Sequence, residues 1–179
     1  MIPIVMLVVA LCLPLDASAQ KKRTARTRHT TWHVYHPPDR SFRIETPKRL
    51  RYAKDPEYNW LEFYGSRESE SETCGESYAV LAGHFDATNR PDDPSGMFLL
   101  IGGSHIFPSS EVEIAVDGFK AKDFIYSRPF DSGCKYRRGW VIDAGARVFW
   151  VIYGSARLEG LKSPRTMRFF KSFHPQQKH

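Results

Sequence analysis

The stretch Val148-Phe149-Trp150-Val151-Ile152-Tyr153-Gly154-Ser155-Ala156, with Leu161-Lys162-Ser163-Pro164-Arg165-Thr166-Met167-Arg168-Phe169-Phe170-Lys171-Ser172-Phe173 a few residues on, decides the fold. Its first half is apolar without alternation, a pattern that suits a strand covered on both faces of a sheet. It is therefore read as a central strand. Its second half has the marks of a helix: Ser163 can cap it, Pro164 suits the first helical position, and Arg168 and Lys171 fall near the negative end of the dipole. Met167, Phe170 and Phe173 recur every three residues and are expected to face the sheet, with Phe169 flanking that stripe. Core packing accounts for the aromatic stripe without any ligand.

Upstream of this ending the chain alternates between strand patterns and turn signals. Tyr136 to Asp143 and Arg147 to Tyr153 form one hairpin about Ala144-Gly145, and Asp117-Gly118 supplies the positive-φ pair of another. That second hairpin joins Val112-Ile114-Val116, which alternate with Glu111, Glu113 and Ala115, to a return strand from Phe119 to about Tyr126. Tyr78 to Phe85 is a further strand apolar on both faces. Phe42, Ile44 and Thr46 alternate with Arg43 and Glu45 until Pro47 stops them, and Trp60 to Tyr64 is read as one more strand. Gly65 to Ser77 and Asn89 to Pro94 are read as loops, and Met97 to Ile101 as a short helix capped from Asp92-Asp93-Pro94-Ser95. The expected class is α+β: an α/β/α sandwich with a central, largely antiparallel sheet and a C-terminal helix packed on it.

The first nineteen residues, MIPIVMLVVALCLPLDASA, combine an apolar run from Ile2 to Leu13 with the small-residue stretch Ala17-Ser18-Ala19. That suits a signal peptide cleaved before Gln20, and the run is shorter than a spanning helix needs. The expected location is therefore secreted or periplasmic, with tethering by an uncleaved segment as the alternative. The 179-residue chain carries a net charge of +6. Without residues 1–19, which hold Asp16 and no cation, 26 basic groups stand against 19 acidic ones. The excess is concentrated in Lys21, Lys22, Arg23, Arg26 and Arg28, so residues 20–38 are read as a basic arm that docks only through Trp32, Val34 and Tyr35. The globular domain is placed at 39–175. Being near neutral, it argues against a basic nucleic-acid groove, whereas the arm suits anionic lipid or polysaccharide. Cys74 and Cys134 remain outside the leader, and an even count in an exported chain reads as one disulfide, with two buried thiols as the alternative.

Three of these segments taken together resemble the PsbP-like family of small α/β/α sandwich domains. They are FRIETP at Phe42 to Pro47, VDGFKAKDFIY at Val116 to Tyr126, and the ending from Val148 to Phe173. The resemblance runs in order from about Asp39 to Pro175 and consists of packing patterns. It implies the fold, no shared catalytic residues, and members that mostly bind partners or assemble with larger complexes.

Motifs of known chemistry are sparse. There is no G-x-S-x-G elbow, no Gly-rich phosphate loop and no H-E-x-x-H. Gly102-Gly103-Ser104-His105 is better explained as a loop than as an oxyanion site, and Cys74 and Cys134 as a pair than as nucleophiles. His29, His33 and His36 would converge on a metal only in a helix, which Thr30, Thr31, Val34 and Pro37-Pro38 oppose. Glu68, Glu70, Glu72 and Glu76 lack the order of a calcium loop and read as a solvated acidic segment. No metal or cofactor is expected. On the central strands His84, Tyr78 and Tyr153 alone offer polar chemistry, and His84 is read as a structural histidine. The reading is a non-catalytic binding or assembly module with a protein partner in the envelope or outside the cell. The alternatives are a small extracytoplasmic hydrolase with an unfamiliar site, or an adhesin acting through the arm.

Overall fold

The computed structural model describes residues 30–54, 58–66, 75–86, 88, 90–94, 105–106, 110–127 and 134–176. Its strands in chain order are β1 (His33–Tyr35), β2 (Phe42–Thr46), β3 (Leu50–Lys54), β4 (Leu61–Ser66), β5 (Glu76–His84) and β6 (His105–Ile106). After them come β7 (Val112–Val116), β8 (Phe119–Ser127), β9 (Tyr136–Asp143), β10 (Arg147–Ser155) and β11 (His174–Pro175). A 3-10 helix at Leu158–Lys162 and an α-helix at Pro164–Lys171 stand between the last two.

Eight of the strands make one antiparallel sheet in the order β3-β4-β5-β10-β9-β8-β6, with β7 paired to β8; β1, β2 and β11 make a second sheet in the order β1-β2-β11. The apolar strand Arg147–Ser155 lies between β5 and β9, as its two-faced pattern requires. Its residues divide by parity. Phe149, Val151 and Tyr153 join Phe42, Ile44, Tyr64, Phe169, Phe170 and Phe173 in one core. Val148, Trp150 and Ile152 join Leu61, Phe85, Phe124, Tyr126 and Val141 in another on the opposite face.

The C-terminal helix starts as expected: Ser163 Oγ accepts from the Thr166 backbone N–H at 3.1 Å and Pro164 opens the first turn. Its buried stripe differs from the sequence reading. Thr166, Phe169, Phe170 and Phe173 are buried, and Met167 is only partly so. Thr166, Phe169, Phe170 and Phe173 are spaced i, i+3, i+4 and i+7, the face that a 3.6-residue period brings together, whereas a strict three-residue spacing from Met167 drifts off it. Burying each of these rings stabilises by about 1.5–3 kcal/mol relative to exposure.

Both hairpins form. Asp117 and Gly118 have φ of 49° and 85°, the left-handed pair a two-residue turn needs, and the Ala144 N–H donates to the Arg147 carbonyl at 2.9 Å across the other turn. The alternation of β7 does not bury its apolar side as expected. Val112 is 57% exposed and Val116 alone is fully inside, because β7 lies at the sheet's margin.

Strands β3 and β11 carry no signal that the sequence reading recognised. Past Leu50, β3 is wholly exposed, so it has no apolar alternation. Residues 33–35, assigned to the arm, form β1 on β2, and Trp32 and Tyr35 pack against the core while Val34 is 51% exposed. The Arg168 guanidinium covers the Trp32 ring at 4.4 Å and pairs with Glu45 of β2 at 2.9 Å, which ties this entry of the chain to the helix. The leader 1–19, the basic residues 21–28 and the helix expected over Met97 to Ile101 lie outside the described residues.

Candidate binding groove

The sequence places Asp123 on β8 and Arg138 on β9, and the register pairs Asp123 with Trp140 and Ile125 with Arg138. The two charged residues are diagonal neighbours on one face, close enough for long side chains to meet. Arg138 Nε donates to Asp123 Oδ1 at 2.9 Å and a second Arg138 nitrogen donates to Asp123 Oδ2, a two-pronged pair in which each side chain is 15% exposed. The remaining Arg138 nitrogen donates to the Leu161 carbonyl at 3.2 Å, and the guanidinium lies 5.5 Å from the Phe170 ring.

This pair forms the floor of a groove of about 450 Å³ between the β7–β9 face and the 3-10 helix. Val112 and Leu158, respectively 57% and 43% exposed, line it together with Ile125 and Lys162. Ser110 also lines it, its hydroxyl donating to the Ile125 carbonyl at 2.9 Å and accepting from the Ile125 N–H at 3.1 Å. The result is an apolar slot over a neutralised floor. Its charges are already consumed by each other, so the slot suits an apolar side chain more than an ion.

A second polar cluster lies under the C-terminal helix. Glu76 accepts from the Tyr78 phenol at 3.1 Å and the Tyr153 phenol at 3.0 Å, and Arg165 pairs with the same carboxylate at 3.3 Å. Burial and the Glu76 charge hold the Tyr78 phenol well above the ordinary range. Burial and Glu76 push Tyr153 up to about 12, against an opposing hydrogen bond with Thr166. These phenols are structural donors, kept neutral at physiological pH.

His84 Nε2 lies 3.4 Å from Glu62 Oε2, and the Tyr64 phenol donates to that same oxygen at 2.7 Å. Burial, then the hydrogen bond to Glu62 and its charge, raise Tyr64 strongly. The His84 side chain is 38% exposed at the last residue of β5, so the cluster sits at an end of the strands rather than at the bottom of a closed cleft. Close by, Arg147 pairs with Asp39 at 2.7 Å. Burial would raise the Asp39 carboxyl, but hydrogen bonds from Ser41 and the Arg147 contact outweigh it and leave the carboxyl lowered.

Of the residues singled out in the sequence, the structure brings few together. Cys134 is buried with its Sγ 3.3 Å from Ser77 Oγ, and Cys74 lies outside the described residues. So do Lys21, Lys22, Arg23, Arg26, Arg28, His29, Glu68, Glu70, Glu72 and Ser104. His33 and His36 are exposed, and no group of three His, Cys, Asp or Glu able to hold a metal occurs among the described residues. The groove residues escaped the sequence reading. Asp123 and Arg138 are fifteen positions apart and meet only through the β8–β9 register, while Val112 resembled a core position.

No protein-family model matches this chain, and no curated protein matches it. The solution structure of cyanobacterial PsbP from Synechocystis sp. PCC 6803 superposes with a TM-score of 0.57 over 82% of this chain and 94% of that one. The chain has a PsbP-like fold. At 10% identity the likeness concerns the fold alone. It fits the described architecture: a mostly antiparallel sheet with one C-terminal helix. The Ran-binding protein Mog1p of Saccharomyces cerevisiae aligns at a TM-score of 0.44, with 12% identity over 82% of this chain and 96% of that one. A Pseudomonas aeruginosa protein of unknown function, PA94, aligns at 0.43, with 12% identity over 82% and 99%. Likenesses as weak as these two say nothing of what the PsbP-like chain binds. Among the described residues no helix is long and apolar enough to cross a membrane.

Proposed function

We propose that this PsbP-like chain is an exported, non-catalytic binding or assembly module that holds a protein partner through the groove between β7–β9 and the 3-10 helix. The observation that carries the reading is the pairing of two exposed apolar side chains, Val112 and Leu158, over a floor whose ionic groups are already satisfied. Such a surface gains from excluding water and has no free acid, base or nucleophile at its base. The occupant is an apolar side chain of the partner, with Lys162 at the rim favouring a carboxylate beside it.

The export part of this reading is supported by the leader pattern of residues 1–19, and outside the cytosol Cys74 and Cys134 would form a lasting bridge. Non-reducing peptide mapping tests the bridge: a linked Cys74–Cys134 peptide is expected, and free alkylated thiols on both would refute it. The groove is tested by crosslinking and affinity purification from the envelope fraction with the native chain and with Leu158→Glu and Val112→Glu variants. The expected result is one partner that both substitutions release. A partner retained by both folded variants would remove the groove as its seat.

A further inference from the structure

The eight-stranded sheet ends on β3, which pairs only with β4 among the described residues. Alternate N–H and C=O groups along its outer side therefore have no ladder partner among the described residues. Arg51 and Lys54 stand on this strand and Arg49 precedes it; all three are exposed, and no ion pair holds any of them among the described residues. Glu62, opposite Lys54 in the register, is already engaged by Tyr64 and His84.

Cations on an edge strand hinder pairing with a like edge, so the β3 of a second copy is repelled. The same charges favour a strand of opposite sign. Apolar surface accompanies them. Tyr52 is 50% exposed with its ring 5.3 Å from that of Tyr64. Beside Arg49 and Leu50, the edge of β1 opens a cleft of about 290 Å³ that includes Val34 and Tyr35. An edge kept only for solubility would have no use for an exposed ring and an adjoining cleft.

We propose that β3 is a docking edge for an extended acidic segment of a partner protein, which adds as a further strand and sets its carboxylates on Arg51 and on Arg49 two positions before it, with Lys54 adding positive charge on the opposite face. The backbone ladder supplies the affinity, and the cations of Arg49 and Arg51 on one face select acidic residues at alternate positions of the added strand. This surface is separate from the groove on β7–β9, and either can fail without the other.

The test is an amide NMR titration of the full chain with a seven-residue peptide alternating glutamate and valine. A second arm uses the same peptide with alternate backbone nitrogens methylated, and a third uses vesicles of anionic lipid. The expected result is shifts confined to residues 49–54 and their cross-strand neighbours. Binding should weaken by about tenfold or more both with the methylated peptide and in an R51E/K54E variant whose other amides are unmoved. Equal binding of the methylated peptide, or equal competition by the vesicles, would reduce the edge to a charged surface and overturn strand addition. Shifts elsewhere, or none, would overturn it too. Sedimentation of the free chain should show a monomer at all concentrations; self-association abolished by R51E/K54E would give the edge to a second copy and refute the proposal.

Discussion

Tyr153 donates its phenolic hydrogen to Glu76 at 3.0 Å, joining the central strand to the start of β5 beneath the C-terminal helix. The same carboxylate takes Tyr78 and Arg165. Glu76→Ala would leave two buried phenols and a guanidinium short of a partner, at a cost of about 2–3 kcal/mol. Chemical denaturation should show the loss, and Tyr153→Phe, which removes only one donor, should cost less. An unchanged midpoint in Glu76→Ala would show that water replaces the carboxylate.

The Asp123–Arg138 pair at the groove floor is coupled by geometry. Removing either partner strands a mostly buried charge, so Asp123→Leu and Arg138→Met should each destabilise by roughly 3 kcal/mol, while the double variant recovers most of it. A double-mutant cycle in urea measures this. Additive losses would mean that the two side chains act independently.

Tyr64, Tyr78 and Tyr153 share a direction of shift with one consequence for pH. Burial is the main cause of each raised value, so the folded state holds these protons after the unfolded state has begun to lose them near pH 10. Their contribution to stability is complete below that pH and falls as pH rises toward the folded values. Absorbance titration of phenolate should show these rings ionising only together with unfolding. Three rings titrating in the native state near pH 10 would contradict it.

Asp39 acts in the opposite sense. Its lowered folded value gives stability that is present above the ordinary carboxyl range and is lost as pH falls through the folded value. Asp39→Asn should flatten the acid limb of the stability curve, a change that thermal unfolding measured between neutral pH and about pH 3 would detect. An acid limb as steep as that of the native chain would exclude this role.

At Gly83 a Cβ would fall 2.7 Å from the Phe85 ring and 2.8 Å from the Trp150 ring. Gly83→Ala must displace two packed aromatics and should cost about 1–3 kcal/mol in equilibrium denaturation. A neutral result would show that the Trp150 side of the core can shift at little cost.

How much of this was legible in advance depended on how local the signal is. Asp117-Gly118, Ser163-Pro164 and the unbroken apolar run from Val148 to Tyr153 act through backbone dihedrals, capping and two-sided burial, so their sequence decides their structure directly. The PsbP-like order of elements followed from them. β3 carries no legible signal because four of its five residues are solvent-exposed, and a strand that buries only Leu50 shows no alternation in its side chains. The alternation of Val112, Ile114 and Val116 reports which residues share a face, and only the sheet order shows that this face is left open at Val112. Asp123 and Arg138, the groove they support, and the basic edge beyond β4 exist only once the strands are in register. Their chemistry comes from proximity between distant residues, which the folded chain alone creates.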